Sequence, residues 1–227
     1  MPSIPLIELT RQETELPPAD AIPVLNLPSK QDKDFWIPRL IHAKRPFAIA
    51  SPDIISADEI LRLAETCKRR KLPVAILDAY RLLPVFARLK EIAVSGCLGR
   101  TSVLKVRIPA SASAMRCADL ALWLLPSVGP DAFSSVGDNR LTVVLSGPNG
   151  DAEASLDMAT RDASLALRIG GATRAIAVPS ATSPCFAERD ILANAPLSGR
   201  RWPLLMHVDD AAAATMLAAD FATNAKK

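Results

Sequence analysis

Residues 47–77 read FAIASPDIISADEILRLAETCKRRKLPVAIL, and this stretch decides the fold. Phe47-Ala48-Ile49-Ala50 is a continuous apolar run stopped by Ser51-Pro52. Ser56 then stands as an N-cap, and Glu59, three residues on, completes a capping box. The helix that follows runs to about Arg70 and buries Ile60, Leu63, Ala64 and Cys67, at three- and four-residue spacings. Val74 to Leu77 is a second apolar run. Strands that are apolar at every position, joined by a helix, predict a parallel sheet covered by helices.

The same alternation extends outward in both directions. Residues 1–20 are Pro-rich, and Ile4 to Leu9 predicts a short edge strand, where Pro is tolerated. Ile22 to Leu27 is a strand closed by Pro28-Ser29, and Asp34 to Ala43 a helix. Leu83 to Ala93 is a helix with Phe86, Leu89 and Ile92 inward, ended by Ser95-Gly96. Val103 to Ile108 continues the pattern as a strand. After Pro109 the style changes. Cys117 to Leu125 is an apolar helix containing Trp123. Leu141 to Leu145, Ala152 to Met158, Ala163 to Ile169 and Ala172 to Val178 form an antiparallel meander with one polar face, carrying Glu153, Ser155 and Asp157. Gly147-Pro148-Asn149-Gly150, Arg161-Asp162 and Gly170-Gly171 supply its turns. Residues 186–203 read as irregular, and Asp209 to Ala225 as an Ala-rich helix. The fold class expected is α/β plus α+β. A Rossmann-like parallel layer occupies residues 1–100, and a mostly antiparallel, helix-backed sheet residues 101–227.

Composition excludes several functions. The chain has 227 residues, 49% of them hydrophobic, which is enough for a sizeable core. A net charge of +3 does not argue for nucleic acid. The densest basic run, Lys68-Arg69-Arg70-Lys71, falls at a helix C-terminus, where the helix dipole favours cations, and no aromatics interleave with it. The cysteines Cys67, Cys97, Cys117 and Cys185 form no C-x-x-C pair, and only His42 and His207 accompany them, so no metal site is expected. Free, mostly buried thiols in a reducing cytoplasm are expected. Nothing resembles a signal peptide or a membrane span.

The first glycine in the chain is Gly96. A parallel start that bound a dinucleotide would need a G-x-G-x-x-G turn after its first strand, because only glycine lets the backbone approach the pyrophosphate. Residues 1–95 hold no such turn, and no Walker-type phosphate loop. No cofactor is therefore expected.

The stretch from Ala21 to about Gly99 resembles the Gfo/Idh/MocA oxidoreductases, the glucose–fructose oxidoreductase and inositol dehydrogenase family. Leu27-Pro28-Ser29 matches that family's T-P-N/S-like turn, and Phe47 to Pro52 the strand ending in E-K-P. Arg81-Leu82-Leu83-Pro84 and Ser95-Gly96-Cys97-Leu98-Gly99 follow in the family's order, the last with most specificity. The helix Asp119 to Leu125 resembles the family's H-x-x-D-x-x-x-x-L helix, and the resemblance extends, weakly over the meander, to residue 227. It implies a chain shortened by the first strand–helix units, which carry the Gly-rich loop and the ribose-binding acid. It also implies that the family's glutamate and lysine fall on Ala50 and Ser51, and its active-site aspartate and histidine on Ala112 and Arg116. Its structural aspartate is kept as Asp119. Neither a serine hydroxyl nor a guanidinium is a general base at neutral pH, so no catalytic residue is expected at Ser51, Ala112 or Arg116.

Three residues are candidates for ligand binding: Arg81, Arg116 and Ser51. Arg116 either binds an anion in the old substrate cavity or makes a salt bridge with Asp119 at i+3, and the second is favoured. Arg81 either faces that cavity from the end of a strand or snorkels at a helix edge. Ser51 has no G-x-S-x-G context, which argues against a hydrolase nucleophile. Trp123 reads as core, His207 as part of a helix start, and His42 as a cation at a helix end.

The functional expectation is a pseudoenzyme: a non-catalytic binding or accessory protein of a small biosynthetic pathway, built on an NAD(P)-dependent oxidoreductase fold and cytoplasmic. Its partner would be a peptide or a protein, with no nucleic acid and no membrane. The family resemblance implies a homodimer or heterodimer through the antiparallel sheet. The alternatives are a complementing subunit of a heteromeric oxidoreductase and a cofactor-independent enzyme acting on a small polar ligand.

Overall fold

The structure, a computed structural model, describes residues 5–9, 15–26, 29–50, 55–77, 80–178, 184–194, 202 and 205–224. The chain begins with β1 (Leu6–Leu9), β2 (Ile22–Leu25), α1 (Lys30–His42), β3 (Phe47–Ile49), α2 (Ala57–Arg70) and β4 (Val74–Ile76). A 3-10 turn at Tyr80–Leu82 leads to α3 (Pro84–Ser95), β5 (Val103–Pro109) and α4 (Ala114–Leu124). The meander comprises β6 (Phe133–Val136), β7 (Arg140–Gly147), β8 (Gly150–Asp157), β9 (Ala163–Ile169) and β10 (Ala172–Ile176). Last come α5 (Pro184–Asn194), β11 (Met206–His207) and α6 (Val208–Asn224). Contacts group residues 1–79 with 184–213, and residues 80–183 with 214–227. This grouping departs from a single break at residue 100 for two reasons. α3 packs on β8 and β9 of the meander. α5 and β11 return late in the chain to the first sheet, beside β1 and β4.

The first unit is a sheet of order β1-β2-β3-β4-β11. β1 to β4 pair in parallel, and β11 pairs antiparallel to β4. Every residue of β2, β3 and β4 is buried, which is why these strands read as unbroken apolar runs. β2, β3 and β4 are successive neighbours, so right-handed crossovers carry α1 and α2 on one face. α1 starts before the expected Asp34. Ser29 caps it, its hydroxyl accepting from the Asp32 N–H at 3.3 Å. That first turn is polar and carries no hydrophobic period. α2 begins as expected: the Glu59 carboxylate accepts from the Ser56 N–H at 2.9 Å and from its hydroxyl at 2.8 Å. It stops at Lys71 in the left-handed region, φ 57°. The basic run ends that helix, and Arg70 Nη1 donates to the Ile41 carbonyl at 3.1 Å.

α5 occupies the first half of the stretch expected to be irregular. Its inward positions include Glu188 beside Leu192, so its buried face is partly charged and hides the helical period. Pro184 suits its first turn. It lies against β1, and Arg189 pairs with Glu8 of that strand. β1 and β2 are parallel, a pairing usually bridged by a helix. Residues 15–21 of this crossover form none. Instead the Arg45 guanidinium donates to the carbonyls of Pro17 (2.8 Å), Pro18 (2.5 Å) and Ala21 (2.7 Å).

The second unit is a sheet of order β10-β9-β8-β7-β5-β6, antiparallel except for β5 with β6. Val103–Ile108 therefore does not extend the parallel layer. Its buried residues alternate, Leu104, Val106 and Ile108 facing the core, as a one-sided strand requires. Leu141, Val143 and Leu145 join them, with Ala152, Ala154 and Leu156. Phe86 and Leu89 of α3, Leu120 and Leu124 of α4, and Ala214 and Leu217 of α6 belong to the same cluster. β6 was not expected, since only Phe133 of its four residues is buried. The expected turns are present: Gly147 faces Gly150 across the β7–β8 turn, and Gly170 and Gly171 have φ 57° and 81° between β9 and β10. A Cβ at Gly147 would lie 2.2 Å from the Leu98 carbonyl oxygen, so only glycine fits there.

Arg45→Ala should remove three charge-assisted hydrogen bonds and lower stability by about 2–3 kcal/mol. Equilibrium urea unfolding measures this. A loss within about 0.5 kcal/mol, ordinary for a surface change, would show that the crossover holds without the clamp.

Candidate functional site

The second unit places Ala112, Arg116 and Asp119 around the start of α4, with Ser113 at the N-cap. Asp119 is 1% exposed, on a helix otherwise buried through Cys117, Ala118, Leu120 and Ala121. An ionised carboxylate in such surroundings needs a partner. Arg81, from the 3-10 turn, supplies it. Its Nε donates to Oδ2 at 2.7 Å, and its Nη2 donates to Oδ1. Arg81 is itself only 8% exposed, so it neither snorkels at a helix edge nor presents its fork to a ligand. Arg81, a partner not foreseen from the sequence, engages both carboxylate oxygens, because a planar fork matches a carboxylate in two parallel hydrogen bonds. Arg116 is half-buried in the first turn of α4. At the far end of α4, Lys90 Nζ donates to the carbonyls of Trp123 (2.7 Å) and Leu124 (3.3 Å). Burial pushes the Lys90 ammonium below the usual lysine pKa. Trp123 is half-buried against the core, as expected.

Ser51 lies outside the described residues; Ala50, just after β3, is half-buried. In open α/β sheets ligands gather at the carboxyl ends of the strands. Here the segments following β1 to β4 include residues 10–14, 27–28, 51–54 and 78–79, which also lie outside the described set. His207 is buried, and its backbone N–H donates to Asp210 Oδ2 at 3.1 Å, a helix-start role as read from the sequence. Its ring does more than was foreseen: Nε2 accepts from the Trp202 N–H at 3.0 Å, and the two rings stack at 5.9 Å. His42 is the last residue of α1. Burial pushes the Cys67 and Cys117 thiols up to about 12, so neither is a thiolate nucleophile. Among the described residues, no group of three or more His, Cys, Asp or Glu side chains could hold a metal, and no helix is long and apolar enough to cross a membrane.

The parallel layer invites a test for a nicotinamide dinucleotide. Binding its pyrophosphate calls for a tight glycine turn at the end of a parallel strand. In the first unit, left-handed backbone among the described residues falls at Lys44 and Lys71, which end α1 and α2 rather than strands. No glycine precedes Gly96. The residues present do not fit the cofactor.

A mostly parallel sheet and a helix-backed, mostly antiparallel sheet in one chain make up a fold shared with solved oxidoreductases, which match this chain at low identity. A putative NADPH-dependent oxidoreductase from Desulfitobacterium hafniense DCB-2 aligns with a TM-score of 0.72 at 11% identity, over 92% of this chain and 79% of its own. An aldose–aldose oxidoreductase from Caulobacter crescentus aligns with a TM-score of 0.66 at 14% identity, over 91% and 78%. A 3-ketoreductase from Actinomadura kijaniata, solved in complex with NADP, aligns with a TM-score of 0.62 at 14% identity, over 90% and 77%. No protein-family model and no curated protein sequence matches. At these identities the likeness is one of fold.

Asp119→Ala should leave the Arg81 charge buried without its carboxylate and cost about 3–5 kcal/mol. Replacing both, Arg81→Met with Asp119→Leu, should recover much of that loss. Thermal and urea unfolding of the three variants measure it. Asp119→Ala within about 1 kcal/mol of the wild type would show that the pair is dispensable.

Proposed function

We propose that this chain is a non-catalytic binding protein built on an oxidoreductase fold, and that its ligand is a peptide or a partner protein. The observation that carries this reading is the chemistry at the start of α4. Ala112 carries no ionisable group, and Arg116 carries one that does not give up its proton at neutral pH. Asp119 has both carboxylate oxygens committed to Arg81. A proton relay beside a hydride acceptor has nothing here to run on. Calorimetric titration with NADH and NADPH should give no saturable heat. Binding of either at micromolar affinity would sink the reading.

The surface offered to a partner is the second sheet. Its inner face is packed; on its other face Thr142 and Ser155 are buried, their hydroxyls 3.2 Å apart, while Lys105, Arg107 and Ser164 are exposed. Across that face run Lys105, Val144, Glu153 and Ala166 in register, with Arg107, Thr142, Ser155 and Ser164 in the next row. The residues are small or carry mixed charge, which suits close packing of one sheet on another. β10 pairs only with β9, and Ala172 to Ala175 are exposed, so its outer edge offers backbone groups for strand addition. The face serves a second copy of the chain or a paralogous one, and the latter would make this chain a subunit of a heteromeric oxidoreductase. In analytical ultracentrifugation the purified chain should sediment as a dimer, and Val144→Glu, at the middle of the face, should sediment as a monomer with unchanged circular dichroism. A wild type that stays monomeric at all concentrations, or a dimeric variant, would remove the homodimer.

A further inference from the structure

A groove in the first unit, between α1 and α2, has a composition that neither the fold nor the reading above accounts for. Its volume is about 290 Å³. A cavity of ~150 Å³ is enough to hold benzene. Ile37, Pro38, Ile55 and Leu63 form its apolar lining. Lys33, Asp34 and Glu59 supply the polar groups, and together they carry one net negative charge.

Those polar groups are unevenly satisfied. Glu59 Oε2 collects three donors: Lys33 Nζ at 2.7 Å, the Ser56 N–H at 2.9 Å and the Ser56 hydroxyl at 2.8 Å. These hold the Glu59 carboxyl at about 2, led by the Lys33 hydrogen bond, so it is ionised throughout the neutral range. Its other oxygen, Oε1, accepts from no described residue. The Asp34 carboxylate is exposed and likewise accepts from none. The Asp34 carbonyl is short of a donor for a covalent reason: the residue four positions on is Pro38, inside the helix, which has no N–H to give. Two carboxylates with oxygens that accept from no described residue, and a carbonyl without its helical donor, thus border an apolar floor.

We infer that this groove binds a small organic ammonium ion with an apolar body. The body covers Ile37, Ile55 and Leu63, and the ammonium donates to the Asp34 carboxylate and carbonyl and to Glu59 Oε1. An anion of the same shape meets a net negative lining. A neutral analogue buries the same apolar area and forgoes the charge-assisted hydrogen bonds. The inference concerns the first unit alone and stands whether or not the second sheet binds a partner.

2-Phenylethylamine, 2-phenylethanol and phenylacetate provide a matched cationic, neutral and anionic series. The readout is methyl NMR of the full chain, following Ile37, Ile55 and Leu63. The amine should shift these methyls saturably, and Asp34→Asn should weaken it about tenfold, the scale of one charge-assisted hydrogen bond. Pro38→Ala restores an N–H to the Asp34 carbonyl and should also weaken the amine. Asp34 is exposed and holds no described partner, so its variant should keep the wild-type methyl spectrum. Equal responses to the three probes would reduce the groove to an apolar crevice. No saturable response to the amine, or an unchanged affinity in Asp34→Asn, would overturn the inference outright.

Discussion

The first unit rests on a constraint of parallel sheets: strands buried on both faces must be covered on both, and their backbone groups must pair within the sheet. β2, β3 and β4 meet it with no exposed residue. β1 extends the pairing on one side and β11 on the other, although the two come from opposite ends of the sequence. The late return of residues 184–213 is thus part of building the first sheet. α5 lies on β1, and the Arg189–Glu8 ion pair ties helix to strand. The described part of the crossover from β1 to β2, residues 15–21, forms no helix, and three of its carbonyls find their donor in a single guanidinium, that of Arg45.

The second unit follows a different rule. A one-sided antiparallel sheet needs a single covering layer, which α3, α4 and part of α6 supply. α4 is held by charged contacts at its middle, Asp119 to Arg81, and at its finish, Lys90 to the last carbonyls. Both contacts fix the helix against neighbouring elements of its own unit.

Features governed by local rules were legible in the sequence. Ser56 and Glu59 cap α2, Gly96 ends α3 in the left-handed region, and the paired glycines turn the hairpins, because caps and turns depend on neighbours within a few residues. The strand–helix order and the apolar period of α2 were legible for the same reason. What was hidden is set by distant residues. α5 hides its period because Glu188 points inward. β5 reads as one more strand of the alternation, and only its pairing with β7 assigns it to the other sheet. Arg81 could not be matched to Asp119 by spacing, since a whole helix and a strand, α3 and β5, separate them. The one available signal was an aspartate inside an apolar helix, which demands a buried cation without saying which.

The buried Arg81–Asp119 pair and the half-exposed Lys33–Glu59 pair differ in how completely they are closed, and that difference separates architecture from binding capacity. Arg81 and Asp119 meet fork to carboxylate, which engages both oxygens of the acid. Lys33 and Glu59 meet through one oxygen only, because an ammonium is a point donor and the Ser56 cap draws the same oxygen toward the helix start. The second oxygen stays available beside an apolar floor. Replacing a lysine by an arginine at such a place is more than a change of shape: the fork would take up that oxygen as well. Binding capacity in this chain is thus expected where a charge pair is left geometrically incomplete, and rigidity where it is complete.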